Sequence, residues 1–439
     1  MERIAVVGAG YVGLVAGACF ADIGHDVTLV DSDPEKIRLL RSGRSPIYEA
    51  GLDDLILNNR PRLRFTDSLA EALSERQLVF LAVGTPSAPD GTADLSAVRA
   101  IARDLGRHWR VDDAVVVVKS TVPVGGNRLV AGLIRENLAG PLRFRMASCP
   151  EFLREGVAVR DVFQADRVVI GADDQETFER VAAVYRPLGG RILHVDVASA
   201  EMIKYAANAF LANRISFVNE IANLCEKFGA DIDHVVKGVG SDRRIGEHFL
   251  RAGVGYGGSC FPKDTRALLR LADELDYDFA LLRETIAVNA RQARRFLDKI
   301  LARYHEGAGL AGRSAAVWGL AFKPGTDDVR ESPALAVVAD LARRGARLRL
   351  YDPAAMDNFR AALPGIEAEY SVSAAAAAAG AELLVVLTEW EEFSGFPLAR
   401  LAGLMGGRTI FDGRNCLSRA AAAAHGFAYI SVGRPDVNG

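Results

Sequence analysis

The sequence predicts an α/β protein: two doubly wound domains joined by a central helical region with one long helix. Three observations predict it. Apolar runs alternate with helix-length amphipathic stretches over residues 1–198. An uninterrupted helical segment then starts near Ser199. A second alternation of apolar runs and helices follows the glycine-rich stretch at 305–313. The 439 residues suffice for about three domains at roughly 150 residues each. The expected boundaries are 1–198, 199–304 and 305–439.

In the first domain IAVVGAG (4–10), DVTLVD (26–31), LVFLAVGTP (78–86), AVVVVKSTVP (114–123) and FRMASCPEF (144–152) read as strands. RVVIGA (167–172) and RILHVDV (191–197) extend the pattern. Continuous Val, Ile and Leu runs suit a parallel sheet covered on both faces. Residues 4–21 carry no charge and follow Arg3, which mimics a signal peptide or membrane helix. Gly8, Gly10, Gly13 and Gly17 within that stretch fit a strand and helix better. From Ser199 to Gly229 there is no proline, and no glycine until the end; Ser199 is expected to cap the helix and Gly229 to end it. At 1.5 Å per residue this is roughly 46 Å of helix, which suits a spine between domains. In the last domain SAAVWGLAF (314–322), ARLRLYDP (346–353), AELLVVLTEW (381–390) and RTIFDGRN (408–415) read as strands. The alanine runs at 374–379 and 420–424 read as helix surface.

The net charge is −3 and no charge block stands out, so neither nucleic acid nor a membrane surface is an expected partner. Hydrophobic residues make up 50% and charged residues 25%, which excludes a disordered chain. The five cysteines form no CxxC pair, which argues against a disulfide framework or a zinc site and for a reducing cytoplasm. The seven histidines show no metal-ligand spacing, and no metal is expected.

GAGYVG (8–13) is a G-x-G-x-x-G turn between a strand and a helix. Its glycines allow a tight turn and close backbone approach to a pyrophosphate at a helix N-terminus. Alone the pattern is weak. Asp31 strengthens it by closing the second strand, where a carboxylate would hydrogen-bond the adenosine ribose. That carboxylate would repel a 2′-phosphate, so NAD is expected rather than NADP. A Rossmann-like first domain follows.

Cys260 follows Gly253, Gly255, Gly257 and Gly258, which let the backbone lie against a ligand. Pro262 suits a first helical turn and places Cys260 at the helix N-terminus, where the dipole and Lys263 would lower the thiol pKa. Asp264 lies one turn on. The bland alternative is a buried structural cysteine. Lys204 and Asn208 share a face of the long helix and could stabilise an oxyanion, or simply be solvated. Glu151 and Glu155 in PEFLREG (150–156), and Thr121 in STVPVGG (120–126), follow strands, where α/β domains bind ligands. Lys323, Arg330 and Arg414 are candidate phosphate or carboxylate partners, or surface charges.

These segments occur in one order with SGRSPIYEAGL (42–52), GTP (84–86), KYAANAFLA (204–212), FLRAGVGYGGSCFPKD (249–264), GLAFKPGTDDVRESPA (319–334) and FDGRN (411–415). Over nearly its whole length the chain resembles the UDP-glucose/GDP-mannose dehydrogenase family of nucleotide-sugar 6-dehydrogenases. The resemblance implies an NAD domain, a helical dimerisation core and a Rossmann-like domain for the UDP-sugar, with the active site in the cleft between them. It implies oxidation of the C6 alcohol of UDP-glucose to a carboxylate with two NAD⁺, and a homodimer or higher homo-oligomer through the central helices. GDP-mannose and a UDP-N-acetylhexosamine are the alternative substrates. Cys260 resembles the nucleophile, Lys204 and Asn208 the oxyanion pair, Asp264 and Thr121 the water-handling groups, and Glu151 an acid/base carboxylate. Gly8, Gly10, Tyr11, Val12, Gly13, Asp31, Lys36, Thr85, Thr121, Glu155, Lys263 and Arg330 match cofactor positions. Glu151, Phe152, Leu153, Lys204, Asn208, Phe249, Leu250, Arg251, Tyr256, Gly257, Lys323 and Arg414 match substrate positions. Arg244 matches an arginine that reaches a neighbouring subunit's site. Three departures stand out: Cys149 for the usual asparagine, Ala50 for proline and Gly325 for a polar residue. Cys149 could perturb the loop that carries Glu151.

Two readings lie outside this family. A simple hydroxyacid dehydrogenase needs the fingerprint and a lysine but no cysteine. A non-catalytic NAD-binding protein would tolerate loss of Cys260, Lys204 and Asp264. NADH formed per substrate separates them.

Overall fold

The computed structural model describes residues 1–307 and 309–437; position 308 of the expected linker, and 438–439, lie outside the described residues. Two compact units divide the chain, Met1–Ala207 and Asn208–Gly439.

The first unit carries β1 (Arg3–Val7), β2 (Asp26–Val30), β3 (Leu63–Thr66), β4 (Leu78–Leu81), β5 (Ala114–Val118), β6 (Phe144–Ser148), β7 (Arg167–Ala172) and β8 (Arg191–Val195). They form one sheet in the order β3-β2-β1-β4-β5-β6-β7-β8. Alternate residues explain the unbroken apolar runs. Ile4 and Val6 of β1 pack into one core layer with Leu14, Phe20 and Phe80. Ala5 and Val7 pack into the opposite layer with Val79, Val116 and Trp109. Helix α1 (Tyr11–Asp22) crosses one face, and α2 (Gly126–Asn137) follows β5.

The sheet departs from the expected all-parallel form. β6 and β7 are antiparallel, with Ala147 opposite Ala172. The connection from Cys149 to Asp166 holds only the short helix Ala158–Phe163, so the chain re-enters the sheet at the edge it left. The strands also end earlier than the apolar runs. GAG, GTP, STVP and PEF are loops above the C-terminal edge of the sheet.

Helix α3 (Val197–Phe228) spans 32 residues, and the boundary between the units falls inside it. Its cap is Asp196, not Ser199 as expected. The Asp196 carboxylate accepts from Ser199 N at 2.8 Å and Ser199 Oγ at 2.6 Å, so the cap lies three residues earlier. Gly229 ends it at φ +72°, and Ala230 N donates back to Cys225 O at 2.9 Å.

The second unit continues α3 into α4 (Phe261–Glu274) and α5 (Ala280–Arg303). It then builds β9 (Ser314–Trp318), α6 (Pro333–Arg343), β10 (Arg347–Tyr351), β11 (Ala368–Tyr370), β12 (Leu383–Val386), β13 (Thr409–Asp412) and β14 (Ala428–Ser431). The sheet order is β11-β10-β9-β12-β13-β14, parallel throughout. Val218 and Ala222 of α3, Phe296 and Ile300 of α5, and Val317 of β9 share one buried cluster. That shared core is why the helices and the second sheet form a single unit. β3, β11 and β14 are edge strands without a long apolar run, and sequence pattern alone passes over them.

Candidate active site

In the first unit β1 ends at Val7 and α1 begins at Tyr11, so GAGYVG is the entire turn. Each glycine has its own reason. Gly8 has φ +107°, and a Cβ there would lie 2.7 Å from Ala82 O. A Cβ on Gly13 would lie 2.0 Å from Gly8 O. A Cβ on Gly10 would meet nothing within 4 Å, and it would occupy the open space at the α1 N-terminus. First-turn N–H groups of Tyr11, Val12 and Gly13 have no helical acceptor, so this space suits a pyrophosphate. Asp31, just past β2, accepts from Ala9 N at 2.7 Å and Asp33 N at 3.0 Å, with Lys36 Nζ at 3.8 Å. The turn and the carboxylate therefore fit the two ends of an adenosine diphosphate moiety. Tyr11 donates to Glu49, and Gly156 N approaches both side chains, at 2.6 Å to Tyr11 Oη and 2.7 Å to Glu49 Oε2.

Glu151 and Lys204 come together. Both are buried, and Lys204 Nζ donates to Glu151 Oε1 at 2.9 Å. Leu153 N donates to Glu151 Oε2 at 2.6 Å. Burial alone would push the Glu151 carboxyl up. The Lys204 ammonium and its hydrogen bond, the Leu153 N–H and nearby Lys119 overcome this and hold it below its ordinary value. The Phe152 ring centre lies 3.8 Å from Arg167 Cζ and 5.5 Å from Lys204 Nζ. Just before this loop the Cys149 N–H continues the ladder to Val118 O at 2.9 Å and its thiol donates to Tyr185 Oη at 3.3 Å. Thr85 Oγ1 donates to Thr121 O at 2.9 Å, which joins two cofactor candidates. Glu155 is half-buried on the same loop as Glu151.

In the second unit Cys260 is the N-cap of α4, with Pro262 in the first turn, and it is half-buried. Ser259 Oγ lies 3.5 Å from its Sγ. Asp264, 1% exposed, accepts from Asn208 Nδ2 at 2.6 Å and pairs with Lys263. The four glycines before Cys260 leave no room for a side chain: a Cβ would meet Gly413 O at 2.9 Å from Gly253, Asn289 Oδ1 at 2.8 Å from Gly255, Glu331 O at 2.3 Å from Gly257, and the Phe322 ring at 2.7 Å from Gly258. Close packing of this loop on 319–332, α5 and the turn after β13 therefore requires glycine at each of them. Tyr256 and Phe249 flank Phe261, with ring centres 5.9 and 6.2 Å away. Leu250 is buried and Arg251 exposed. Lys323 lies 5.7 Å from the Phe322 ring centre. Arg330 pairs with Asp328 and exposed Arg244 with Asp242. The Arg414 guanidinium bridges Leu387 O, Gly255 O and Phe322 O at 2.8, 3.1 and 2.9 Å. Its donors hold three loops together.

Sequence reasoning passed over Glu49, Lys119 and Glu201, all buried charged groups in the first unit. Glu201 had a signal, since it lies three residues before Lys204 on the same helix. No group of three His, Cys, Asp or Glu able to hold a metal occurs among the described residues, and no helix there is long and apolar enough to cross a membrane.

A doubly wound sheet with this fingerprint, an acidic group past its second strand and an oxygen-rich loop set define a dinucleotide-dependent dehydrogenase. Residues 2–189, 198–291 and 316–419 match the NAD binding, central and UDP binding domains of the UDP-glucose/GDP-mannose dehydrogenase family. The chain belongs to that family, and it is an NAD-dependent oxidoreductase. It is 48% identical to a UDP-glucose 6-dehydrogenase of Bacillus subtilis, over 99% of this chain and 98% of the relative. It is also 48% identical to a UDP-glucose 6-dehydrogenase of Rhizobium meliloti, over 99% and 100%. The solved structure of a UDP-glucose dehydrogenase from Pyrobaculum islandicum superposes with TM-score 0.89 at 41% identity, covering 95% of each chain.

Proposed function

We propose that this protein oxidises UDP-glucose to UDP-glucuronate with two NAD⁺, through a thiohemiacetal and a thioester on Cys260. The observation that carries the reading is the half-buried thiol at the N-cap of α4, followed one turn later by the buried Asn208–Asp264 pair. The substrate follows the names of relatives 44–48% identical over essentially the whole chain.

Bound NAD⁺ supplies hydride acceptance, once from the alcohol and once from the thiohemiacetal. The residues do the rest. The C6 hydroxyl loses its proton to water held by Asp264. Glu151 is held ionised by Lys204, which makes it a weak base in this arrangement and an orienting partner for the ammonium. The Cys260 thiolate adds to the aldehyde carbon; a C–S bond forms and the carbonyl electron pair moves to oxygen. Lys204 and Asn208 stabilise that oxyanion, a type of contact worth about 3 kcal/mol per donor. After the second hydride leaves, water positioned by Asp264 and Thr121 attacks the thioester, the C–S bond breaks and thiolate is regenerated. Alcohol, water and two NAD⁺ thus give carboxylate, two NADH and three protons. The three-part division at 198 and 304 remains our domain proposal. A reducing cytoplasm fits the free cysteines. The exposed Phe210, Phe217 and Leu224, spaced seven apart on α3, with Phe228 beyond, fit a face for a second copy.

NADH counted per sugar tests the reading, with UDP-glucose, GDP-mannose and UDP-GlcNAc each offered with NAD⁺ and with NADP⁺. Two NADH from UDP-glucose with NAD⁺ is expected. Cys260→Ser should stall at the aldehyde or ester stage; two NADH per turnover in that variant overturns the covalent route.

A further inference from the structure

We propose that Glu201 is a positioning residue: it fixes the loop that carries Thr121 to the turn of α3 that carries Lys204. The inference rests on the reading above, in which Thr121 helps handle the water that hydrolyses the thioester.

α2 has no capping side chain of its own, because Gly125 precedes it at φ +95°. Its first amides are taken by a side chain from far along the sequence. Glu201 Oε2 accepts from Gly125 N at 2.7 Å, and Oε1 accepts from Asn127 N at 2.7 Å and Asn127 Nδ2 at 2.8 Å. Glu201 and Asn127 are 3% and 2% exposed. The carboxylate charge is met by the positive end of α2. These bonds close one end of the segment 121–125. The other end is closed by Ser120 Oγ to Val83 O at 2.7 Å and Thr85 Oγ1 to Thr121 O at 2.9 Å. In between, Gly126 packs so tightly that a Cβ on it would lie 2.5 Å from Val122 Cβ. Three residues past Glu201, Lys204 holds Glu151. One turn of α3 therefore clamps two loops: the Glu151 loop through an ammonium and the Thr121 loop through a carboxylate. Loosening the second clamp shifts the Thr121 hydroxyl and leaves Lys204 and the thiol in place.

The test is rapid-quench kinetics on the full chain with UDP-glucose and NAD⁺, comparing wild type, Glu201→Gln, Thr121→Val and their double variant. Intact-protein mass spectrometry reads the acyl group on Cys260. Glu201→Gln is expected to lower kcat about ten- to a hundredfold, a usual cost of misplacing a group by an ångström or less. KM for both substrates should stay within about twofold. The variant should release a burst of NADH and accumulate acyl-enzyme. Thr121→Val should do the same, and the double variant should be no slower than the slower single. Acyl-enzyme in Thr121→Val but not in Glu201→Gln overturns this proposal alone, as does a multiplicative loss in the double variant. Loss of turnover without acyl-enzyme in Thr121→Val overturns the hydrolytic reading of Thr121 instead. If Glu201→Gln does not fold, Asn127→Ala, which removes a donor from the other side of the clamp, must show the same split between kcat and KM, and normal hydrolysis in it overturns the proposal.

Discussion

The two sheets share the strand order 3-2-1-4-5-6 through their first six strands and differ at one turn. Both leave the first strand through a glycine at positive φ, Gly8 at +107° and Gly319 at +93°. Both glycines press on the chain across the switch point: a Cβ would lie 2.7 Å from Ala82 O in one case and 2.4 Å from Thr388 Cβ in the other. Both place an aspartate after the second strand, Asp31 and Asp352. There the likeness ends. α1 starts at Tyr11, whereas α6 starts only at Pro333, and the segment from Leu320 to Ser332 fills the space between. Asp352 is fully buried and spent on its own surroundings. It accepts from Leu320 N at 2.8 Å, Ala321 N at 3.0 Å, Ala354 N and Ala355 N at 2.9 Å, and Trp390 Nε1 at 3.1 Å. One topology thus builds a carboxylate that can meet a ribose and another that pins loops. The sheet supplies the crevice, and the length of the first loop decides what enters it.

Glycine substitutions test this contrast most severely. Gly13→Ala puts backbone against Cβ with no room to yield, so NAD⁺ binding should be lost and stability should fall by more than about 3 kcal/mol. Gly10→Ala should melt like wild type yet bind NAD⁺ at least about tenfold more weakly, because its methyl takes only the ligand's space. Titration with NAD⁺ and a thermal melt read both, and equal NAD⁺ affinity in Gly10→Ala breaks the cradle assignment. The aspartates come next. Asp352→Asn turns an NH2 donor toward buried amide donors and should cost about 3 kcal/mol in a denaturant melt, with the cofactor preference unchanged. Asp31→Asn should cost under about 1 kcal/mol and relax the preference for NAD⁺ over NADP⁺. The reverse pattern would mean the two carboxylates have exchanged roles.

Smaller effects are expected from titration. Glu151 has its pKa lowered by folding, so its stabilising contribution is complete above the ordinary carboxylate value of about 4.3 and is lost as pH falls through the lower folded value. Urea melts from pH 7 to 3 should show the gap between wild type and Glu151→Gln closing only below that ordinary value; a constant gap would mean the pair does not titrate. The least perturbing measurement is thiol alkylation. Burial pushes Cys19 up to about 12 and raises Cys225 and Cys416, whereas Cys260 is half-buried at a helix N-cap. Iodoacetamide at neutral pH should label Cys260 first, and prior labelling of Cys416 would count against an accessible nucleophile.

Much of the fold was legible because both faces of each central strand are buried, which leaves unbroken runs such as AVVVV in β5. Edge strands such as AEY in β11 bury less and carry no such signature. The fingerprint was legible because its spacing belongs to the strand–turn–helix itself, with Gly13 packed on Gly8 O and Gly10 at the open start of α1, although Gly8 also presses on distant Ala82. The glycines before Cys260 also answer a constraint that their pattern does not show, from Glu331, Phe322, Asn289 and Gly413, far off in sequence.

Residue order by itself determined the alternation of strands and helices, the dinucleotide turn with its aspartate, the long spine and a cysteine opening a helix, because each depends on neighbours within a few turns. Tertiary structure alone decided that Glu151 meets Lys204 and Asn208 meets Asp264, and that Glu201 closes the end of α2. Those outcomes depend on which distant groups burial forces into hydrogen-bonding distance. A buried charge must find a partner wherever the fold brings one, and local sequence holds no record of that partner.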